Sequence, residues 1–324
     1  MTSAIDAPVR TVFCATDFSA TADLALAHAE ALARRHAARL LVAHVVEPWP
    51  STTVTPIAVV DDTERILRAA ASRRLEALVA PLAARGLDVA TRVVTGGPGH
   101  EAVGLAQEVG ADVIVVGTHG RSGIAHLVYG STAEYVVRRS PLPVLTVHPH
   151  DPGPQPRPQT MVLPSDLSPG AERALEAAVR LFPALGPGEG AAAGSGAPGS
   201  ARARIVLLHV DEVARYFEPY GEEVIPAYFD WEERRKEVAR GLEAVAERLR
   251  RAGFEVEARV TAGSPVQMVC DVARDEHAGL IALGTHGHSA ILNFLMGRTA
   301  QRVVQHAPCP VLTVRAADRP VTPP

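Results

Sequence analysis

The feature that most constrains this chain is a glycine pattern that occurs twice. Each copy starts with a short apolar run and closes on the same segment, Pro-x-Pro-Val-Leu-Thr-Val, which ends at Val147 and again at Val314. The glycines between these limits keep one spacing, as Gly117, Gly120 and Gly130 and then as Gly284, Gly287 and Gly297. Chance does not produce this agreement twice in 324 residues, so the sequence indicates an internal duplication. Two domains of ~150 residues also fit the chain length.

Each copy has the composition of a strand, a glycine loop and a helix start. In the first copy, residues 113–116 form a continuous apolar and β-branched run, which is typical of a buried parallel strand. After Gly130, Ser131 is a candidate N-cap with Glu134 as its capping-box partner. Such a unit suits a polyphosphate, because glycines allow close backbone approach and the N–H groups of a loop and a helix N-terminus attract anions. The Ser131 hydroxyl adds a further donor.

The phosphate-binding pattern here differs from two common ones. It lacks the Gly-Lys-Ser/Thr of a Walker A loop, and no G-x-G-x-x-G follows the first strand. For one isolated copy, glycines that only make a tight loop would explain the pattern equally well. The duplication favours a ligand site.

Strands alternate with helices along both halves, which predicts parallel sheets with right-handed crossovers. The expected strands are 9–15, 40–46, 87–94, 113–116 and 142–147 in the first half, and 161–163, 205–210 and 254–260 at the start of the second. Ligands of such sheets bind beyond the carboxyl ends of the strands, where the strand order reverses. Asp17 follows the first strand and Gly117 the fourth, so we expect both residues at one crevice.

Helix ends in the first half carry recognisable signals. Ser19 is the predicted N-cap of the first helix. Asp61 or Asp62 is predicted to cap a long second helix that ends at Gly86. Pro81 is expected to kink that helix or to split off its last turn.

Composition divides the chain into residues 1–148, a Pro- and Gly-rich linker at 149–159, and residues 160–317 with a disordered low-complexity loop at 183–203. The net charge of −4 and the lack of a basic run argue against nucleic acid as a partner. No apolar run approaches the ~18–20 residues of a membrane span, and the N-terminus does not resemble a signal peptide. We therefore expect a soluble, cytoplasmic protein. The three cysteines have neither metal nor disulfide spacing, so buried packing roles and no metal site are expected.

On these residues the chain resembles the universal stress protein family, as a tandem two-domain member. The family's nucleotide-binding members carry Gly-x2-Gly-x9-Gly-(Ser/Thr), which residues 117–131 match in full. The segment 16–19, Thr-Asp-Phe-Ser, is also similar to the ATP-binding branch of the family. The resemblance covers nearly the whole chain. It implies two doubly wound α/β domains of the adenine nucleotide α-hydrolase type, each with a five-stranded parallel sheet of order 3-2-1-4-5.

The resemblance also implies a ligand, ATP, with Mg²⁺ bridging its phosphates. Asp17 is expected to contact the adenosine half through its carboxylate, and Val45 to lie against the adenine. Residues 117–120 and 130–132 are expected to wrap the phosphates and the ribose. The expected binding residues are Thr16, Asp17, Val45, Gly117, His119, Gly120, Arg121, Gly130, Ser131 and Thr132 in the first half, and Asp166, Val210, Gly284, His286, Gly287, Gly297 and Thr299 in the second.

The second copy departs from the family motif at one position. Arg298 stands where the motif has Ser or Thr, and Thr299 comes one residue late, so a weaker or altered second site is predicted. The last strand is the family's dimerisation edge. The resemblance therefore implies that residues 142–147 pair with 311–314 of the same chain, which would cover both edges as an internal dimer. Homodimer formation by the full chain is left open.

Histidines and an arginine in the pattern have more than one interpretation. His119 and His286 lie inside the glycine loops, where they could touch phosphate or simply accept the loop geometry. Arg121 could pair with a phosphate. His44 and His209 lie at the ends of second strands and are expected to be hydrogen-bonded structural residues.

Two functional classes remain open, and a third has only the fold in its favour. We favour a nucleotide-dependent regulatory or binding module of the stress response, because no catalytic base or arginine finger lies at a convincing position. No catalytic residue is therefore assigned. A slow ATPase is the alternative. A flavin- or dinucleotide-binding electron carrier uses a similar sheet but has no motif in this sequence.

Overall fold

The computed structural model describes residues 7–48, 57–118, 130–154, 159–184, 203–212, 231–285 and 296–315. Contacts divide the chain into two compact units, residues 7–156 and residues 157–324. The division falls inside the segment that composition marks as a linker.

The first unit alternates strands and helices along its length. Its elements are β1 (Thr11–Ala15), α1 (Ala20–His36), β2 (Arg39–Val46), α2 (Ile57–Ala84), β3 (Val89–Thr95), α3 (Pro98–Glu108), β4 (Val113–Gly117), α4 (Ser131–Arg139) and β5 (Val144–Val147). The strands are parallel and lie in the order β3-β2-β1-β4-β5. The order reverses between β1 and β4, so the carboxyl ends of these two strands flank a crevice.

The second unit repeats this architecture. Its elements are β6 (Thr160–Pro164), α5 (Pro169–Leu181), β7 (Arg204–Asp211), α6 (Trp231–Arg251), β8 (Glu255–Ala262), α7 (Pro265–Asp275), β9 (Leu280–Gly284), α8 (Arg298–His306) and β10 (Val311–Val314). Its parallel strands lie in the order β10-β9-β6-β7-β8. Counted within the unit this is again 3-2-1-4-5, so the predicted fold class is confirmed for both halves.

The centre of the first sheet is apolar on both faces. Residues 12–14 of β1 and 113–115 of β4 are fully buried. α1 covers them with a face of small residues, mainly alanines, which lets the helix axis approach the sheet closely. Burial, with a smaller contribution from the charge of Asp23, raises the pKa of the Cys14 thiol to about 12. This cysteine therefore stays protonated and acts as a packing residue, as expected.

The first helix of each unit starts with the same cap. Ser19 Oγ accepts the N–H of Ala22 at 3.2 Å at the start of α1, as predicted. Ser168 Oγ accepts the N–H of Ala171 at 3.2 Å at the start of α5. The duplication thus extends to individual hydrogen bonds.

The start of α2 differs from the prediction. The helix begins at Ile57, so Asp61 and Asp62 belong to its interior and neither residue is its cap. Residues 57–60, Ile-Ala-Val-Val, extend the helix by one turn before the acidic pair. A cap preference of about 1 kcal/mol does not by itself fix the start of a 28-residue helix.

The end of α2 is at the predicted glycine, and of the two alternatives predicted for Pro81 a split-off last turn is excluded, while a kink stays a prediction. Gly86, with φ of +79°, takes the left-handed conformation that ends a helix, and the N–H of Leu87 donates to the carbonyl of Leu82 at 3.2 Å. Pro81, however, lies inside a helix that continues to Ala84, so the last turn is not split off.

Some expectations fall outside what the structure describes. Residues 185–202, which are most of the low-complexity segment, are not among the described ranges. The pairing of the two fifth strands and the formation of a homodimer stay predictions. Within the described ranges, none of the helices combines the length and the apolar character needed to cross a membrane.

Candidate functional site

A cavity of ≈ 840 Å³ opens in the first unit at the carboxyl ends of its central strands. This volume lies within the range of small-molecule sites, roughly 300–1,000 Å³. Residues from five elements form its wall. They are 15–18 at the end of β1 and beyond it, 43–47 at the end of β2 and beyond it, 116–117 of β4, 130–133 at the start of α4, and further residues from α2. The cavity therefore sits at the switch point that the strand order predicts.

The backbone turns sharply where β1 enters the cavity. Phe18 has φ of 64°, a left-handed conformation that bulky residues rarely adopt. Two side chains hold this turn: Thr16 Oγ1 accepts the N–H of Phe18, and Asp17 Oδ1 accepts the N–H of Ser19, both at 3.0 Å. Asp17 thus lines the cavity and also stabilises the turn that shapes it.

The second unit makes the same turn after β6. Leu167 has φ of 61°, Ser165 Oγ accepts its N–H at 3.1 Å, and Asp166 Oδ1 accepts the N–H of Ser168 at 3.0 Å. The presence of an aspartate at both places therefore has a structural reason, independent of any ligand. Sequence alone could not separate this role from ligand contact.

A stack of side chains forms one wall of the first cavity. The Phe18 ring lies 4.5 Å from the His44 ring, centroid to centroid, and the Arg74 guanidinium carbon lies 4.4 Å from the Phe18 centroid. Arg74 Nη2 is also 3.4 Å from the Phe18 carbonyl oxygen. His44 donates through Nδ1 to the Thr16 carbonyl at 2.8 Å, and His209 makes the matching bond in the second unit at 2.9 Å. Both histidines have the hydrogen-bonded role expected of them.

Gly117 has a packing reason to be glycine. A Cβ built on it would lie 3.0–3.1 Å from Cγ2 and the backbone of Thr21 in α1. At Gly284 the corresponding Cβ would lie 2.7 Å from the backbone of Gly170 in α5. The first glycine of the motif therefore lets a helix N-terminus pack against the end of a strand, whether or not phosphate is bound.

The start of α4 corrects the predicted cap. Gly130 is the N-cap, Ser131 is the first helical residue, and no side chain caps the helix. The N–H of Gly130 donates to the Thr118 carbonyl at 2.6 Å, which holds Gly130 extended, with ψ of 142°, and lets the helix begin after it. Glu134 instead bonds Arg138 at 3.0 Å on the helix surface, so the capping box is absent.

Seven of the residues predicted from sequence come together in the first cavity. They are Thr16, Asp17, Val45, Gly117, Gly130, Ser131 and Thr132. Three others of the first half, His119, Gly120 and Arg121, lie outside the described residues, as do His286 and Gly287 of the second half. Their predicted contacts stay predictions.

The remaining second-half residues occupy matching places in their unit. Val210 lies in β7 and Gly284 ends β9, while Gly297 is the N-cap of α8. Arg298 and Thr299 are the first two residues of α8, and both are exposed.

Sequence reasoning missed the contribution of α2. Arg74 is the one arginine or lysine among the described residues that line the first cavity, and Leu67, Ala70 and Ala71 of the same helix add apolar wall. α2 is far from the glycine motif along the chain, so no local pattern connects the two. Glu47, just after β2, was missed for the same reason.

The two units differ where α2 and α6 approach the first turn. In the first unit Arg74 lies over Phe18. In the second unit Leu167 takes the place of Phe18, and its Cδ1 would lie 2.7 Å from a Cβ built on Gly241 of α6. Position 241 thus faces the turn as position 74 does, but its glycine provides neither a side chain nor a charge there. The sequence holds this signal, because Arg74 and Gly241 lie equally far before the glycines that follow their helices, Gly86 and Gly253.

Comparisons with known proteins agree with this architecture. A universal stress protein of Mycolicibacterium smegmatis is 26% identical over 314 residues, which are 94% of this chain and 96% of that protein. A universal stress protein of Thermus aquaticus is 36% identical over 140 residues, which are 43% of this chain and 98% of the relative. The crystal structure of a universal stress protein from Archaeoglobus fulgidus covers 96% of this chain and 98% of its own, with a TM-score of 0.66. At 18% identity, that likeness concerns the fold alone.

The sequence model of the Usp family, described as the universal stress protein family, matches the chain twice. The matched ranges are residues 8–148 and residues 158–315, so each match spans one copy of the glycine pattern. The chain therefore belongs to the universal stress protein family, of which it is a tandem member.

Proposed function

We propose that the first unit binds ATP in the cavity at its switch point, and that the protein is a nucleotide-dependent regulatory module of the stress response. One observation carries the proposal. A cavity of nucleotide size has the N-terminal turn of a helix in one wall, and a second wall made of apolar side chains with one arginine. These are the two environments that the phosphate and adenosine halves of a nucleotide require.

The phosphate half belongs to the start of α4. Gly130, Ser131 and Thr132 line the cavity there. The first N–H groups of a helix have no intrahelical partner, and the helix dipole makes this end attractive to anions. Ser131 and Thr132 add hydroxyl donors, so the turn offers several hydrogen bonds to phosphate oxygens.

The adenosine half belongs to the walls from β2 and α2. Val45 and Val46 of β2 face the cavity together with Ala70 and Ala71 of α2, and their side chains suit a flat apolar base. Asp17 offers a carboxylate as acceptor for a ribose hydroxyl.

Mg²⁺ is part of the proposal because its preferred ligands are present. Mg²⁺ takes one or two carboxylates together with phosphate oxygens and water, and Asp17 and Glu47 are the carboxylates of the described lining. Because the Asp17 carboxylate is proposed to accept a ribose hydroxyl, Glu47 would hold the ion, whose charge would offset that of the phosphates. Arg74 adds a positive charge from the opposite wall.

A binding module remains favoured over a slow ATPase. Asp17 Oδ1 already accepts the Ser19 N–H at 3.0 Å and holds the turn after β1, so this carboxylate has a structural role in the cavity wall. Arg74, the arginine of the described lining, lies over the Phe18 ring, so neither residue is assigned a catalytic role. Hydrolysis in the test below would make the slow ATPase the better description.

The test identifies the ligand first and then measures its affinity. Mass spectrometry of the purified full-length chain is expected to find ATP or ADP, and calorimetry with Mg²⁺ is expected to rank ATP above ADP, AMP and cyclic AMP. Phosphate release is followed in the same samples. Retained FMN or FAD would overturn the proposal in favour of an electron carrier, and an absence of saturable binding by any adenine nucleotide would overturn it altogether.

Arg74→Met is expected to weaken ATP binding about tenfold. The residue is exposed, so the loss corresponds to the low end of what a hydrogen bond to a charged group contributes, ~1.5 kcal/mol. Arg73→Met is the matched control, because it removes the same charge from the same helix. Arg73 is also exposed, and it does not line the cavity. Equal dissociation constants for the two variants in calorimetry would contradict a role for Arg74.

A further inference from the structure

The segment that follows β5 brings together three side chains that can bind a metal. His148, His150 and Asp151 each offer a ligand atom, and these atoms lie within 4.8 Å of one another. The site belongs to the first unit and lies outside the nucleotide cavity. No metal site was expected from the sequence, because the three cysteines lack metal spacing and the residues of this cluster are almost contiguous.

Two of the three residues are buried and held rigidly. The side chains of His148 and Asp151 are 1% and 0% exposed. Asp151 Oδ2 accepts the backbone N–H of His148 at 2.7 Å and lies 3.1 Å from its Nδ1. The N–H of Asp151 in turn donates to the His148 carbonyl at 3.1 Å, which closes the turn.

The second oxygen of the same carboxylate points to a ligand. Asp151 Oδ1 is buried and has no hydrogen-bond partner among the described residues. A buried charged oxygen without a partner is costly, so such an atom calls for an ion or a further donor. His150 Nε2 lies 3.9 Å from this oxygen, too far for a hydrogen bond and close enough for both atoms to reach one ion.

The third residue, His150, lies at the surface beside this pair. The side chain of His150 is 58% exposed, and its ring stacks on that of His148 with centroids 5.2 Å apart. On the other side of Asp151, Pro152 is anchored to α1, because His28 donates through Nε2 to the Pro152 carbonyl at 3.1 Å. The aspartate is thus fixed between two anchors, with the His150 ring beside it.

We propose that His148, His150 and Asp151 form a Zn²⁺ site. Two imidazoles and a carboxylate are a ligand set that zinc accepts, with water as the fourth ligand. Bonds of about 2.0–2.1 Å in a tetrahedral site place ligand atoms roughly 3.3–3.4 Å apart. His148 Nδ1 lies 3.1 Å from Oδ2 of Asp151 and His150 Nε2 lies 3.9 Å from Oδ1, so each imidazole is near this separation from one oxygen of the carboxylate.

The ion would give Asp151 Oδ1 the partner that it lacks among the described residues. It would offset the buried negative charge and tie the segment after β5 to the end of that strand. The competing explanation is a His–Asp pair that is only structural. The two explanations differ in one measurable result: only a metal site would bind Zn²⁺ in a way that requires His150.

The test uses the full-length chain after removal of metal with a chelator. Calorimetric titration with Zn²⁺ gives affinity and stoichiometry, and Co²⁺ serves as an optical probe of the ligand geometry. The chain has 13 histidines, so the informative quantity is the difference between wild type and variants. His150→Gln is the main variant, because the residue is exposed and the buried pair stays intact. Asp151→Asn keeps the shape of the side chain and removes its charge.

We expect His150→Gln and Asp151→Asn each to bind one Zn²⁺ fewer per chain, or to bind Zn²⁺ at the cluster at least 100-fold more weakly than wild type. A loss of this size exceeds the one caused by removing a residue that only hydrogen-bonds to a metal ligand. His100→Gln is the matched control. His100 is 75% exposed and lies 3.2 Å from the carboxylate of Glu101, outside the described cluster, so its loss should change nothing. Wild type and His150→Gln with equal stoichiometry and affinity would show a hydrogen-bonded pair only. The same conclusion follows if wild type binds no Zn²⁺. If Asp151→Asn does not fold, the comparison of His150→Gln with His100→Gln decides alone.

Discussion

Gly130→Val is expected to abolish ATP binding to the first unit while the protein still folds. Gly130 lines the cavity at the start of α4 and has φ of −70° and ψ of 142°, a region that valine adopts without strain. Valine keeps the N–H that donates to the Thr118 carbonyl. At the equivalent Gly297 a Cβ would lie 3.1 Å from the Thr285 carbonyl oxygen, so valine at position 130 is expected to require a small shift of this neighbour. The change adds a branched side chain at the wall proposed to hold the phosphates.

The control for this prediction is Gly104→Val. Gly104 lies in α3, and a Cβ built on it meets nothing within 4 Å, so the same substitution should leave both fold and ATP affinity unchanged. Calorimetry and thermal denaturation of both variants form the measurement. If Gly130→Val retains wild-type affinity, the phosphates do not lie at the start of α4.

Gly117 would be a poor choice for the same test. A side chain there would press on the backbone of Thr21 and disturb the packing of α1 on β4. Loss of binding in such a variant would not distinguish a ligand contact from a damaged fold. Ser131→Ala is a better second variant, because Ser131 is exposed and only a hydroxyl is removed.

The architecture was accessible from sequence because its signals are local or repeated. Buried parallel strands appear as continuous apolar runs, and the caps at Ser19 and Gly86 depend on neighbouring residues only. The duplication then provided a second, independent prediction of each element. These signals predict the elements and their parallel arrangement, whereas the strand order 3-2-1-4-5 was implied by the resemblance to the universal stress protein family.

The errors arose where a local signal competed with a tertiary contact. The pattern at Ser131 and Glu134 predicts a capping box, yet the hydrogen bond from Gly130 to Thr118 sets the start of α4 one residue earlier. Arg74 was missed because its contact with Phe18 joins residues 56 positions apart. No periodicity or motif reports such a contact, whereas the comparison of Arg74 with Gly241 in the two halves could have drawn attention to it.

ATP is expected to bind one tight site per chain, with a second site weaker by roughly ten- to a hundredfold. The first reason is Arg298, which replaces Ser131 at the first position of α8. The second site thereby loses a hydroxyl hydrogen bond to a charged group, ~1.5–3 kcal/mol. Arg298 is exposed, as Ser131 is at the same position of α4. Capping does not contribute, because neither helix has a side-chain cap.

The second reason lies at the other wall. Leu167 and Gly241 take the places of Phe18 and Arg74, so the second unit has neither the aromatic ring nor the positive charge there. The first site should therefore bind ATP more tightly than the second even when Arg298 is replaced by serine. A substitution at 241 would require the Leu167 side chain to move, because a Cβ there would lie 2.7 Å from its Cδ1.

The sharpest measurement isolates the second site. In a Gly130→Val background the first site is silent, so the remaining ATP binding in calorimetry reports the second unit alone. Adding Arg298→Ser should strengthen that binding about tenfold, by returning one hydroxyl donor to the helix start. Arg302→Ser is the matched control, since Arg302 is exposed on the same helix one turn later. Two equivalent ATP molecules per wild-type chain would contradict the asymmetry. An Arg298→Ser affinity below that of Arg302→Ser would show instead that the guanidinium itself holds the phosphates.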